Sequence, residues 1–317
     1  MLLRFLLILL LIPTTHFGQY CEDFNFELMD DNVSVGARSL HRDQNGLDFI
    51  YISNGTGYMR IIDCSDPENL IFLGHVALFN WWTDYEYEVN TITQRGKYLY
   101  LAFGDIYPPY EKAPGIQIIQ TEEDLMGGYI RDVWLLGDET SGGASSVSLK
   151  DDLAYLCTSG SGLIILDVSD PELIDSVASF LPETNFPIGV DPEKVNAKHI
   201  ILEDTRAYLA NDAGGLRIFD ISNPLSISEI GKYSNPALEG TPHHYLNLVK
   251  HENYIYATTG SCGLEVLDVS DADNITLVYW WNPWDCLEND PLTSPGYLNE
   301  IEINTDCNYI FVSAGRS

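Results

Sequence analysis

The 317-residue chain carries 16 Lys and Arg against 47 Asp and Glu, a formal net charge of −31. That charge excludes a nucleic-acid-binding surface and adhesion to anionic lipid, since both need clustered cations. With 45% apolar, 12% aromatic and 20% charged residues, the chain has too many core-formers to be a disordered acidic polymer, and its length allows one large or two ordinary domains.

The opening residues, MLLRFLLILLLIPTTHFGQ, place Arg4 ahead of an apolar run that ends at Pro13, the pattern of a secretory signal peptide. Residues 1–18 are therefore expected to be removed, with cleavage after the small Gly18. Tyr20 before Cys21 is too bulky for a good lipoprotein signal. No later stretch approaches the roughly 18 apolar residues that a membrane span needs, so no transmembrane helix is expected. All six cysteines, Cys21, Cys64, Cys157, Cys262, Cys286 and Cys307, follow the cleavage site, in a compartment where disulfides persist. Their spacing offers no zinc pair. Cys262, Cys286 and Cys307 fall in turns or loops, where one bond among them is expected, whereas Cys64 and Cys157 fall at strand positions and read as packed thiols.

Beyond residue 34 the chain repeats itself. The copies begin with YMRIIDCSDPENL from Tyr58, followed by a degenerate GIQIIQTEEDLMG from Gly115. Next come SGLIILDVSDPEL from Ser161, GGLRIFDISNPLSI from Gly214 and CGLEVLDVSDADNI from Cys262. Their anchors, Asp63, Gln120, Asp167, Asp220 and Asp268, lie about 51 residues apart on average. Each unit has an upstream aromatic strand, marked by Tyr51, Tyr100, Tyr155, Tyr208 and Tyr256, then a Gly-rich turn. A short alternating segment precedes that strand and another follows the Asp-Pro turn, so each unit predicts four short strands, the content of one propeller blade. In the third strand Leu163, Ile165, Leu166 and Val168 are apolar in nearly every copy, while Ile164 is matched by Arg60, Gln117, Arg217 and Glu265. Both faces are expected to be largely buried, as in a sheet held between neighbouring sheets. Asp63, Asp167, Asp220 and Asp268 read as structural punctuation, hydrogen-bonding the turn that follows.

GLIILDVSDP and its sister copies resemble the LVIVD repeat, a family of exported bacterial proteins that form β-propellers. The resemblance covers residues 34–317. It implies an all-β fold, a propeller of four-stranded antiparallel blades with five blades plus a half blade present and a native ring of six or more. It implies almost nothing about chemistry. The pairings that mark WD-repeat and sialidase propellers are absent, and the lone Trp82-Thr83-Asp84 is weak support for a YWTD propeller. NYIFVSAGRS from Asn308 aligns with NYIYATTGSC from Asn253, so the chain is expected to stop in mid-blade, as a truncated gene or fragment would. Within the N-terminal segment 19–33, FNFELMD from Phe24 could supply a closing strand.

Chemistry is expected where the repeat is broken. The second unit carries the insertion IYPPYEKAP, with Tyr107, Tyr110 and Glu111. Two more aromatic and acidic loops hold Trp81 and Trp82, and Trp281 and Trp284. Exposed aromatics beside carboxylates suit sugar stacking or a peptide ligand, while the plainer reading is that these tryptophans fill gaps between blades. His199, His243, His244 and Glu302 stand before or within first strands, where loops approach a propeller's channel. Solvated channel polarity is the default there, with metal binding and acid–base chemistry through Glu88, His199 or Glu302 as alternatives. No cofactor is expected; the acid excess keeps calcium open, although no EF-hand spacing exists. The expected function is an exported, non-enzymatic binding or scaffold module for an extracellular protein or glycan. A channel-sited hydrolase or lyase, metal-dependent in one form, is the alternative, and no G-x-S-x-G motif supports it.

Overall fold

A computed structural model describes residues 6–10, 37–54, 58–66, 69–77, 87–106, 112–121, 129–137, 142–239, 241, 243–287, 296–304 and 309–315. They fall into two compact units, Glu27–Leu181 and Pro182–Ser317 with Met1–Phe26. In chain order β1 (Leu6–Leu10) comes first and belongs to the last sheet.

The Glu27–Leu181 unit holds three sheets of four consecutive antiparallel strands. Blade 1 is β2 (Ala37–Arg42), β3 (Phe49–Asn54), β4 (Tyr58–Asp63) and β5 (Ile71–Ala77). Blade 2 is β6 (Val89–Arg95), β7 (Tyr98–Phe103), β8 (Gly115–Gln120) and β9 (Tyr129–Leu135). Blade 3 is β10 (Ala144–Lys150), β11 (Leu153–Thr158), β12 (Gly162–Asp170) and β13 (Leu173–Phe180). All of β8 is buried, and it shows why both faces of the third strand are apolar. Ile116 and Ile118 pack against Ala144, Leu156 and Leu166 of blade 3, while Ile119 and Leu101 pack against Tyr51 and Ile61 of blade 1. Each such aliphatic side chain contributes about 1.5–3 kcal/mol of burial.

The Pro182–Ser317 unit repeats the plan. Blade 4 is β14 (His199–Glu203), β15 (Arg206–Ala210), β16 (Leu216–Asp220) and β17 (Ser228–Tyr233). Blade 5 is β18 (Asn247–His251), β19 (Tyr254–Thr258), β20 (Leu264–Asp268) and β21 (Thr276–Trp281). A half blade follows, β22 (Tyr297–Asn304) and β23 (Tyr309–Gly315), with β1 antiparallel on the far side of β23, Leu6 opposite Ala314 and Leu10 opposite Ile310. The apolar segment Leu6–Leu10 thus lies where a third strand would, satisfying backbone groups that an edge strand otherwise exposes. FNFELMD lies outside the described residues.

Two local devices recur in both units. Where the third strand pairs with the fourth, the register shifts at the same point in every full blade, between Ile61 and Ile62, Ile118 and Ile119, Ile165 and Leu166, Ile218 and Phe219, and Val266 and Leu267. Such bulges increase twist. Beyond that strand, Oδ1 of Asp63, Asp167, Asp220 and Asp268 accepts the backbone N–H of Ser65, Ser169, Ser222 and Ser270 at 2.8–2.9 Å. These bonds hold the exposed carboxyls below the usual range. Blade 2 solves the turn differently: Gln120 accepts from Arg131, and the Thr121 hydroxyl donates to the Lys97 carbonyl.

Cys262 and Cys286 are disulfide-bonded, with Cα atoms 5.1 Å apart. Leu238 packs beside the bond, and Trp280 donates its indole N–H to the Cys262 carbonyl at 2.8 Å. Cys157 is fully buried, and desolvation pushes its thiol up to about 12, which leaves it inert. Cys64 is a half-buried free thiol, and Cys21 and Cys307 lie outside the described residues. Among the described residues no helix is long and apolar enough to cross a membrane.

Candidate functional site

A buried polar cluster in the Pro182–Ser317 unit grows from the turn between β15 and β16. Asp212 occupies that turn with φ 51°, in the left-handed region, where the blade 5 counterpart is Gly260 at φ 64°. An L-residue there costs about 1–2 kcal/mol, so the carboxylate must return more than a glycine would. It does. Asp212 is only 6% exposed, and its Oδ1 accepts from His244 Nδ1 at 2.5 Å. Oδ2 accepts from Asn196 Nδ2 at 3.3 Å and lies 3.5 Å from Lys198 Nζ. Its backbone N–H and C=O exchange bonds of 3.1 Å with Tyr245. One residue therefore ties the segment entering blade 4 to the segment entering blade 5.

Burial alone would push the Asp212 carboxyl up, but Lys198, His244 and Asn196 reverse this and hold it below its ordinary value. An ionised Asp212 can only accept, so His244 Nδ1 carries the proton, and in the neutral ring Nε2 is an acceptor. Nε2 makes no hydrogen bond among the described residues, and the His244 side chain is 29% exposed. The Tyr297 ring lies 6.4 Å away, centroid to centroid. Three residues after His244, at the start of β18, Asn247 donates its side-chain N–H to Glu300 Oε2 at 2.5 Å. Glu300 is an exposed residue whose carboxyl end is crowded by surrounding protein, and desolvation there and then repulsion from Glu302 push it up to about 7.

The structure treats the paired histidines in opposite ways. His243 is 4% exposed, with Nδ1 donating to the Thr241 carbonyl at 2.8 Å and Nε2 meeting the Ser234 hydroxyl at 3.2 Å, so it braces its own loop. His199 is half-buried at the start of β14; its Nδ1 is buried without a partner, and desolvation pushes the ring down to about 4. Glu302 is exposed on β22. The Trp281 and Trp284 rings lie 6.2 Å apart, tilted by 50°, and pack on the core of blade 5 and the half blade, and Trp284 covers Gly296 closely enough to exclude a Cβ. Tyr107, Tyr110, Glu111, Trp81 and Trp82 lie outside the described residues. Among the described residues no group of three or more His, Cys, Asp or Glu is arranged to hold a metal ion. Asp212, Lys198 and Asn196 were not singled out from sequence, although Asp212 departs from the Ser159 and Gly260 of its sister turns.

Two opposed pH effects follow. His199 binds its proton near 4 when folded and near 6.5 when unfolded, so its neutral form favours the folded state above pH 6.5, and that stability is lost as pH falls toward 4. The loss is about 2–3 kcal/mol, and H199Q is expected to flatten the fall. Glu300 has the opposite sign: its raised value means stability is lost as pH rises from the carboxylate range through about 7. E300Q is expected to exceed the wild type above pH 7 and to match it at pH 4, in denaturant unfolding at a series of pH values.

Within each unit, consecutive meandering four-stranded antiparallel sheets, four of the five full ones closed by the same Asp-to-Ser turn, are the blades of a β-propeller. Residues 47–77, 141–176, 196–235 and 247–282 match the LVIVD repeat. The chain is an LVIVD repeat-containing protein. No curated protein matches it. Among solved structures, it is similar to the periplasmic gluconolactonase PpgL of Pseudomonas aeruginosa, with a TM-score of 0.62 and 11% identity over 88% of this chain and 85% of that one. It is also similar to the β-propeller domain of Myceliophteria thermophila Cps50 (Swd1), with a TM-score of 0.52 and 11% identity over 87% of this chain and 82% of that one. A third likeness is Saccharomyces cerevisiae Sqt1, with a TM-score of 0.54 and 9% identity over 87% of this chain and 69% of that one. At such identities the likeness is one of fold.

Proposed function

We propose that the protein is an exported, non-enzymatic binding module that engages an extracellular glycan through the loop ends of blades 4 and 5 and the half blade. The observation that carries this reading is the fixed His244: a buried carboxylate holds its ring and leaves Nε2, among the described residues, as an unengaged acceptor beside the Tyr297 ring. Pre-organisation of that kind lowers the entropic cost of binding. Glu300 and Glu302 add acceptor oxygens on the adjoining strand, and a sugar supplies hydroxyl donors and an apolar ring face to match such a surface. A net charge of −31 disfavours polyanionic ligands. Export rests on the leader pattern of residues 1–18, and an intact mass beginning at Gln19 in the secreted product is the expected result.

The test is an array of neutral and charged glycans probed with the secreted protein, each hit then titrated by calorimetry. Saturable binding to neutral saccharides that is lost in H244A supports the proposal. Capture of a surface protein at the same residues, with no glycan bound, would replace the ligand class and keep the module. A second reading, a hydrolase or lyase, draws on two features: an Asp–His pair with a free Nε2, and a nearby carboxyl held near 7. The periplasmic gluconolactonase neighbour is compatible with it through fold alone. Turnover of a bound saccharide or lactone that disappears in H244A and E300Q would favour that reading.

A further inference from the structure

Glu265 sits in the middle of β20 with no exposed surface, the costliest kind of place for a carboxylate. The blade does not require it. At the same repeat position blade 3 carries Ile164, which is buried in the ordinary way, so the sheet closes with an aliphatic side chain there. Glu265 instead makes two bonds, both to the segment that enters its own blade: Tyr245 donates its hydroxyl to Oε2 at 2.6 Å, and Asn235 donates its side-chain N–H to Oε1 at 2.6 Å. Asn235 also donates its backbone N–H to the Tyr245 oxygen at 3.3 Å, closing a small ring of bonds. Blade 4 uses the position for the same purpose with opposite charge: Arg217 reaches the Glu183 and Phe186 carbonyls in the segment that enters blade 4.

Tyr245 is therefore held at both ends, its hydroxyl by Glu265 and its backbone by the paired bonds to Asp212. His244 is its chain neighbour, and His243 packs edge-on against the Tyr245 ring at 5.9 Å. We propose that Glu265 is a positioning residue for the binding site: acting through Tyr245, it fixes the loop so that His244 Nδ1 meets Asp212 and Nε2 faces outward. The role concerns the site's geometry and extends the binding reading, but its test uses no ligand, so the two can fail separately.

The readout is the His244 Nδ1 proton in the folded protein, seen by nitrogen-15 NMR of histidine-labelled samples. A hydrogen bond of 2.5 Å to a carboxylate places this proton far downfield and slows its exchange. Tyr245→Phe removes only the hydroxyl, and Glu265→Leu removes the carboxylate while copying the aliphatic solution of blade 3. Both are expected to lose the downfield signal while other histidines keep theirs. Glu265→Gln still accepts from Tyr245 through its amide oxygen and is expected to retain part of it. A purely packing role would lower the melting temperature and leave the His244 proton in place. Retention of the full signal in Tyr245→Phe overturns the proposal, and that variant carries the test alone if Glu265→Leu does not fold.

Discussion

Replacing Arg217 with alanine is expected to cost about 3–5 kcal/mol, the range for removing one partner of a buried charged network. The guanidinium is wholly buried and uses every face: Nε donates to the Gly214 carbonyl at 2.9 Å, and Nη1 to Glu229 at 3.0 Å. Nη2 donates to the carbonyls of Glu183 and Phe186 at 2.9 and 3.2 Å, and the Phe186 ring lies 4.9 Å from the guanidinium carbon. Alanine would strand three carbonyls and a carboxylate together. Lysine cannot reproduce the planar fork, so R217K is expected to recover less than half of the loss. Because Arg217 fastens the segment Glu183–Phe186, its loss is also expected to free the connection leading to Lys194. Limited trypsin digestion should then cut after Lys194 faster in R217A than in the wild type, and equal rates would show that the connection is held by other means.

Asp212→Ala is the second large effect, a loss of about 3 kcal/mol. It leaves Lys198, whose side chain is 12% exposed, without its carboxylate, and it removes the acceptor for His244 and Asn196. Alanine also keeps the unfavourable left-handed backbone, which glycine relieves, so D212G is expected to be about 1 kcal/mol more stable than D212A while losing the same contacts. Asn keeps the shape without the charge and is expected to fall between Ala and wild type. For a domain of this size, about 3 kcal/mol corresponds to roughly 6–12 °C in melting temperature. D212G melting no higher than D212A would show that the turn carries no backbone strain.

Much of the fold was legible because its determinants are local and repeated. The apolar third strand, the tyrosine eight residues before it and the Asp-to-Ser turn lie within one contiguous stretch in four copies, and the second copy departs in both the tyrosine spacing and the turn. Four versions of the same stretch reveal which positions the architecture demands. The polar occupants of the third strand, Arg60, Gln117, Arg217 and Glu265, were visible as departures, but their roles were not. Apart from Gly214 and Glu229, the partners of Arg217 and Glu265 lie in connections 20 to 34 residues away, whose courses no periodicity encodes. The site was half legible for the same reason. His244 stands out in the sequence as half of a histidine pair ahead of a first strand, whereas Asp212, 32 residues earlier, joins it only after two blades pack. His243 and His244 look alike as a dipeptide, yet one faces Ser234 inside its loop and the other faces Asp212 with an edge to solvent. The tryptophans were read either as ligand platforms or as packing. Trp281 and Trp284 pack on the core of blade 5 and the half blade, and Trp284 fills the space beside Gly296.

The central claim is that His244, fixed by Asp212, contacts the ligand. The most direct test is paired calorimetry of a neutral saccharide from the array into wild-type protein and H244A, with melting curves of both. A weakening of at least tenfold, about 1.4 kcal/mol, in a variant that still melts cooperatively, at a temperature lowered by the lost bond to Asp212, is the expected result. Equal affinity in the two proteins would contradict the claim and move the binding surface elsewhere on the propeller.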